Sequence, residues 1–154
     1  NRKTVSSCTQ LGWGTTYKSI NACNLIETGK TAVKRNTVDY KTKQNQEIYK
    51  QNVETLQKLI AWCNSRNIQV LLFTPPSFET YRENCNPEQL NIAINTTFQI
   101  ASKYTNCTYL NLFADTNFVA KDYYDADHLS EIGAKKLSTI INNQIIKIKQ
   151  KKTN

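Results

Sequence analysis

The chain has 154 residues, enough for one domain with a real core, and 39% of them are apolar. Its formal charge is +8, from 20 basic and 12 acidic side chains, and four lysines near the end (Lys147, Lys149, Lys151, Lys152) supply half of it. No apolar run reaches the length of a membrane span, and no basic run is interleaved with aromatics as a nucleic-acid stacking platform requires.

A membrane span, a signal peptide and a nucleic-acid partner are therefore not expected. The chain starts Asn1-Arg2-Lys3 and contains no Met, which suggests a mature form or a piece of a longer polypeptide. The five cysteines (Cys8, Cys23, Cys63, Cys85, Cys107) fit no zinc spacing and include no CxxC, so neither a metal nor a cofactor is expected. An odd number leaves at least one thiol unpaired. Cys8–Cys23 and Cys85–Cys107 are conceivable pairs in an exported protein, and an exported setting is preferred to a cytoplasmic one.

Residues 1–43 are the least regular stretch. Gly12-Trp13-Gly14 reads as a turn that carries an aromatic, either as a lid on the core or as a substrate-facing loop. Gly29-Lys30-Thr31 resembles the end of a phosphate loop but lacks the earlier glycine and the preceding strand. From about Lys43 to Arg66, Tyr49, Val53, Leu56, Ile60 and Cys63 recur at helical steps, with Cys63 as a small buried apolar residue. Ile68–Phe73 is a short apolar run suited to a strand buried on both faces, and Thr74-Pro75-Pro76-Ser77 ends it. Ligands collect at the carboxyl ends of such strands, so this turn is a candidate site wall.

Phe78–Cys85 reads as a short crossover. Asn86-Pro87-Glu88 signals a helix start, with Leu90, Ile94, Phe98 and Ala101 as its apolar face. Thr108–Phe113 is a second strand and residues 114–129 are a polar loop. Ser130 then caps a last helix marked by Leu137, Ile140, Ile141, Ile145 and Ile148. Helix, strand, helix, strand, loop and helix predict an α/β fold, read as a three-layer α/β/α sandwich on a short parallel sheet. The chain reads as a single domain, complete or partial, with a core at 44–146 and a basic tail at 147–154.

The chemistry concentrates in Asp122-Tyr-Tyr-Asp-Ala-Asp-His128, which holds the only histidine of the chain. Asp125 and Asp127 both stand close enough in sequence to orient its ring, and a neighbouring carboxylate raises imidazole basicity. A polar turn that merely hydrogen-bonds its own histidine is the plain alternative.

Asp125-Ala-Asp-His128, followed by Leu129-Ser130, Gly133 and an amphipathic helix, resembles the last block of the SGNH/GDSL hydrolase family. At the level of pattern the resemblance extends over residues 44–146. It implies a serine esterase or acylhydrolase acting on a small-molecule or carbohydrate ester. His128 would then be general base and acid, with Asp125, rather than Asp127, holding its other nitrogen. An O-acyltransferase would use the same triad. The chain has no Gly-Asp-Ser, no Gly-x-Asn-Asp and no Gly-x-Ser-x-Gly elbow, and Ser6, Ser7 and Ser77 read as loop residues. The resemblance therefore places the nucleophile upstream, leaving this chain inactive alone. A member that lost its serine, or a non-catalytic binding module, are the other readings.

Overall fold

The computed structural model describes residues 8, 9 and 12–151. Ser6, Ser7 and Lys152 lie outside the described residues. The fold is mixed α/β, dominated by helices around a two-stranded parallel sheet.

The first helix, α1 (Leu25–Asn36), lies inside the stretch that the sequence gives as irregular. Asn24 caps it by accepting from the amides of Ile26 (2.9 Å) and Glu27 (3.3 Å), and Lys34 and Arg35 suit the negative end of its dipole. Gly29 and the β-branched Thr28, Thr31 and Val33 lower its intrinsic propensity, which hides it from sequence. Tertiary packing reverses the balance. A Cβ at Gly29 would stand 2.8 Å from the backbone carbon of Thr80, so only glycine lets α1 lie this close to α3 (Glu79–Asn84). Gly29-Lys30-Thr31 is thus mid-helix and no phosphate loop.

Helix α2 (Lys43–Asn64) starts at Thr42, whose hydroxyl accepts from the Asn45 amide at 3.2 Å, and Asn67, at φ 58°, turns the chain out of it. Ile60 and Cys63 are buried as their spacing predicts, whereas Tyr49 stays exposed. Strand β1 (Val70–Thr74) pairs in parallel with β2 (Cys107–Asn111), in register from Val70↔Cys107 to Thr74↔Asn111. The buried Asn106 amide joins three elements here. It donates to the carbonyls of Ile68 (2.9 Å) and Ile60 (3.4 Å), closing the ends of α2 and β1 onto the start of β2.

Between the strands runs α4 (Pro87–Ser102), with Asn86 accepting from the Gln89 amide at 3.0 Å and Pro87 in the first turn. Its buried arc centres on Ile100 and Ala101. Phe98, expected on that face, falls one residue beyond the arc and is 61% exposed. The last helix, α5 (Glu131–Lys151), continues through the basic residues, so Lys147 and Lys149 are exposed helical positions and not a separate tail. No helix among the described residues is long and apolar enough to cross a membrane. All five cysteines are unpaired, so neither conceivable disulfide is formed.

Candidate functional site

Residues 114–129 are more ordered than a polar loop. A 3-10 turn (Ala120–Asp122) leads into an antiparallel hairpin, β3 (Tyr123–Asp125) and β4 (His128–Leu129), with Ala126 and Asp127 at its tip. Tyr123 anchors it, buried with its ring 5.5 Å from that of Phe78 and 6.5 Å from that of Phe118. Burial pushes the Tyr123 phenol up to about 12. Asp125 and His128 are direct cross-strand partners, which sets their side chains together.

The His128 ring nitrogen Nδ1 lies 2.9 Å from Oδ1 and 3.1 Å from Oδ2 of Asp125. Oδ1 also accepts from the backbone amides of Asp127 (3.1 Å) and His128 (2.8 Å), so the carboxylate is fixed before it meets the ring. An ionised carboxylate only accepts. Nδ1 therefore carries the proton, and Nε2 is the nitrogen left to take one. Nε2 has no hydrogen bond among the described residues, and the side chain keeps 42% of its surface exposed. In this state the imidazole has the tautomer and access of a general base.

Asp127, the competing carboxylate for the orienting role, is engaged elsewhere. Its side chain is only 12% exposed and pairs with Arg35 (3.1 Å), with the Asn36 amide donating at 3.3 Å. It also stands 3.4 Å from Nδ1, but its charge is already balanced by the guanidinium. Asp125, Asp127 and His128 offer ligand atoms within 4.8 Å of one another, enough to reach one cation. Such an ion would have to displace Arg35 from Asp127 and the Nδ1 proton from Asp125.

The N-terminal stretch builds the wall around this dyad. The Tyr17 ring stacks on the His128 ring at 5.1 Å and packs 4.8 Å from Tyr124. Its carbonyl accepts from the Glu131 amide at 3.1 Å, and Glu131 in turn accepts from the amide (2.6 Å) and hydroxyl (2.7 Å) of Ser19. Those two Ser19 bonds hold the Glu131 carboxyl below the usual range. Thr28 and Cys23 complete the attachment, through the Ala126 amide to Thr28 Oγ1 (3.1 Å) and the Cys23 amide to the Tyr124 carbonyl (2.6 Å).

Beneath the hairpin, Asp122 is fully buried. Its Oδ2 accepts from Lys136 Nζ (2.5 Å) and the Val119 amide (2.9 Å), and its carbonyl accepts from the Ser130 amide (2.9 Å). Burial alone would push the Asp122 carboxyl up. The Lys136 ammonium and the Val119 amide outweigh it, so the group sits below the ordinary aspartate range. This contribution is fully present above the unfolded value of about 4 and is lost as the pH falls through the lower folded value. Lys136→Met should cost about 3 kcal/mol at neutral pH, because it strands a buried carboxylate. Protonation relieves that charge, so the deficit should shrink between roughly pH 7 and pH 5, the reverse of the parent's acid limb. Urea titrations at the two pH values check this, and parallel pH profiles for parent and variant would refute it.

The Thr74-Pro75-Pro76 turn touches the hairpin only at one remove. Phe78 donates its amide to the Ala126 carbonyl (2.9 Å), and Ser77, which is buried, donates its amide to Phe113 (3.2 Å). The cavity adjoining the histidine's neighbours, of about 500 Å³, is lined instead by Trp13, Tyr17, Leu129 and Glu131. Trp13 is no lid on the core: it is 42% exposed. Tyr17, Arg35 and Asp122 all escaped sequence reasoning. For Asp122 a signal existed, a carboxylate at the head of the stretch that ends in His128; for Tyr17 and Arg35, more than ninety residues away, none did. No family model matches the chain, and no curated protein or solved structure matches it either.

Proposed function

We propose that this chain is the Asp–His portion of an SGNH/GDSL-like ester hydrolase, organised as part of a three-layer α/β/α sandwich. One observation carries the reading: the Asp125 carboxylate, fixed by two backbone amides, grips Nδ1 of His128 and leaves Nε2 free. His128 takes the proton from a serine hydroxyl as that oxygen attacks the ester carbonyl, then returns it to the leaving alcohol. Asp125 holds the tautomer and stabilises the imidazolium. Among the described residues no hydroxyl is hydrogen-bonded to Nε2, and in this reading the serine belongs to a block upstream, as the family resemblance implies. The substrate is a small-molecule or carbohydrate ester, and transfer of the acyl group to a second alcohol would use the same groups.

The 154-residue chain alone should not turn over p-nitrophenyl acetate. The polypeptide that carries it together with a serine block should do so, and should lose the activity in His128→Ala. If that longer polypeptide has the same rate with and without His128, the assignment fails, and a non-catalytic binding module takes its place. The lack of a Gly-Asp-Ser or Gly-x-Ser-x-Gly block in the sequence is what favours this second reading.

A further inference from the structure

We infer that residues 13–23 form a strap in which Tyr17 is a positioning residue for His128, its ring confining the imidazole to the orientation that Asp125 grips. For its part in turnover the inference rests on the ester-hydrolase reading. The strap adds almost nothing to the core: none of residues 12–23 is buried, with Ile20 88% and Tyr17 46% exposed. A stretch that buries so little surface gains little from leaving water, yet ordering it costs conformational entropy. Hydrogen bonds hold it in place, and they converge on the elements that carry the dyad.

One clasp lies at the start of α5. The Glu131 amide donates to the Tyr17 carbonyl at 3.1 Å, and the amide and hydroxyl of Ser19 donate to the two Glu131 carboxylate oxygens at 2.6 and 2.7 Å. The other clasp is the Cys23 amide on the Tyr124 carbonyl at 2.6 Å. Glu131 stands three residues after His128, and Tyr124 directly precedes Asp125, so the strap is tied on both sides of the dyad. At the first clasp the Tyr17 ring stacks on the His128 ring, 5.1 Å away with 28° between the planes, and Tyr124 lies 4.8 Å from the same Tyr17 ring. Asp125 holds the imidazole at one edge only, through Nδ1, and a single edge contact leaves the ring free to tip. A flat ring against its face opposes tipping and screens that face from water. The same π face favours a positive charge on its neighbour, which steadies the imidazolium formed during turnover. These effects act on the proton-bearing state rather than on the bound ester, so they belong in kcat and not in KM. The contact is made by the ring, so the hydroxyl is dispensable.

The contact needs no nucleophile, so the 154-residue chain itself serves for the first test. Proton NMR follows the exchange of the His128 Nδ1–H with water. Tyr17→Ala should speed that exchange about ten-fold, and Tyr17→Phe, which keeps the aromatic face, should stay within about two-fold of the parent. Ser19→Ala leaves the ring in place and removes one bond of the first clasp; it should speed exchange about three-fold. In the serine-bearing polypeptide, Tyr17→Ala should lower kcat for p-nitrophenyl acetate about ten-fold with KM within about two-fold, and Tyr17→Phe should recover the rate. The proposal is overturned if Nδ1–H exchange ignores Tyr17→Ala, or if Tyr17→Phe behaves like the alanine variant. It is also overturned if the whole loss falls in KM, which would make Tyr17 a substrate contact. Faster exchange in Tyr17→Ala without any ester turnover in the serine-bearing polypeptide would retain the strap and remove the hydrolase. Turnover that is lost in His128→Ala but indifferent to Tyr17→Ala would do the opposite.

Discussion

Asp125→Asn should lower kcat/KM for p-nitrophenyl acetate by about 10³-fold in the serine-bearing polypeptide, with the fold retained. The size follows from what each oxygen of the carboxylate does. Oδ1 accepts from the amides of Asp127 and His128 at the hairpin tip, and Asn can keep both bonds because its own oxygen accepts equally well. The amide nitrogen must then occupy the place of Oδ2, 3.1 Å from Nδ1. There it is a donor facing a donor. Although the Asn oxygen in the place of Oδ1 still lies 2.9 Å from Nδ1, the added donor opposes the Nδ1 proton and favours the tautomer protonated at Nε2, which has no lone pair for a serine hydroxyl. The imidazolium formed during turnover also loses its counter-charge. Stability should change little, since the side chain remains bonded at the tip and the Arg35–Asp127 pair is untouched. The low-field proton resonance of Nδ1–H should disappear in the variant. A rate within about three-fold of the parent would show that Asp125 only shapes the turn.

Helices α2, α4 and α5 and the parallel pair are legible because their signals are local: Asn86-Pro87 starts α4, and an apolar run ended by prolines is β1. The strand ends shifted by one or two residues, as ends commonly do, with Leu112 and Phe113 buried just past β2. Helix α1 was hidden because its central glycine is explained only by Thr80 on another element. The hairpin was hidden too, since three- and two-residue strands are too short to show an alternating pattern. The dyad itself could be read from Asp125-x-x-His128, a spacing short enough for one turn to satisfy. Its surroundings could not. Tyr17 stacks on His128 from far along the chain, and Arg35 decides between two carboxylates that sequence alone leaves in competition.

Gly133→Ala should destabilise the fold by about 4 kcal/mol, although alanine is the better helix former by about 1 kcal/mol. The added Cβ would lie 2.0 Å from the Asp122 carbonyl oxygen and 2.9 Å from its carbonyl carbon, with Leu129 Cδ2 also at 2.9 Å. A flexible side chain could step aside, but the first two atoms are backbone, held by the Ser130 amide on that same oxygen. Withdrawing α5 instead would draw Lys136 away from the buried Asp122 carboxylate and disturb Ser130, whose hydroxyl bonds the Lys121 carbonyl at 3.0 Å. Every route of relief costs a buried polar contact. Ser138→Ala, at an exposed position of the same helix, should stay within about 0.5 kcal/mol and serves as the propensity control. Urea unfolding of the three proteins measures the difference, and a Gly133→Ala variant as stable as its parent would mean that the helix does not seat on Asp122. Because Asp122 precedes β3 and Ser130 follows β4, a shift at Gly133 enters the hairpin from both ends. The variant should therefore also lose the Nδ1–H resonance that reports the Asp125–His128 bond, without any change at either residue.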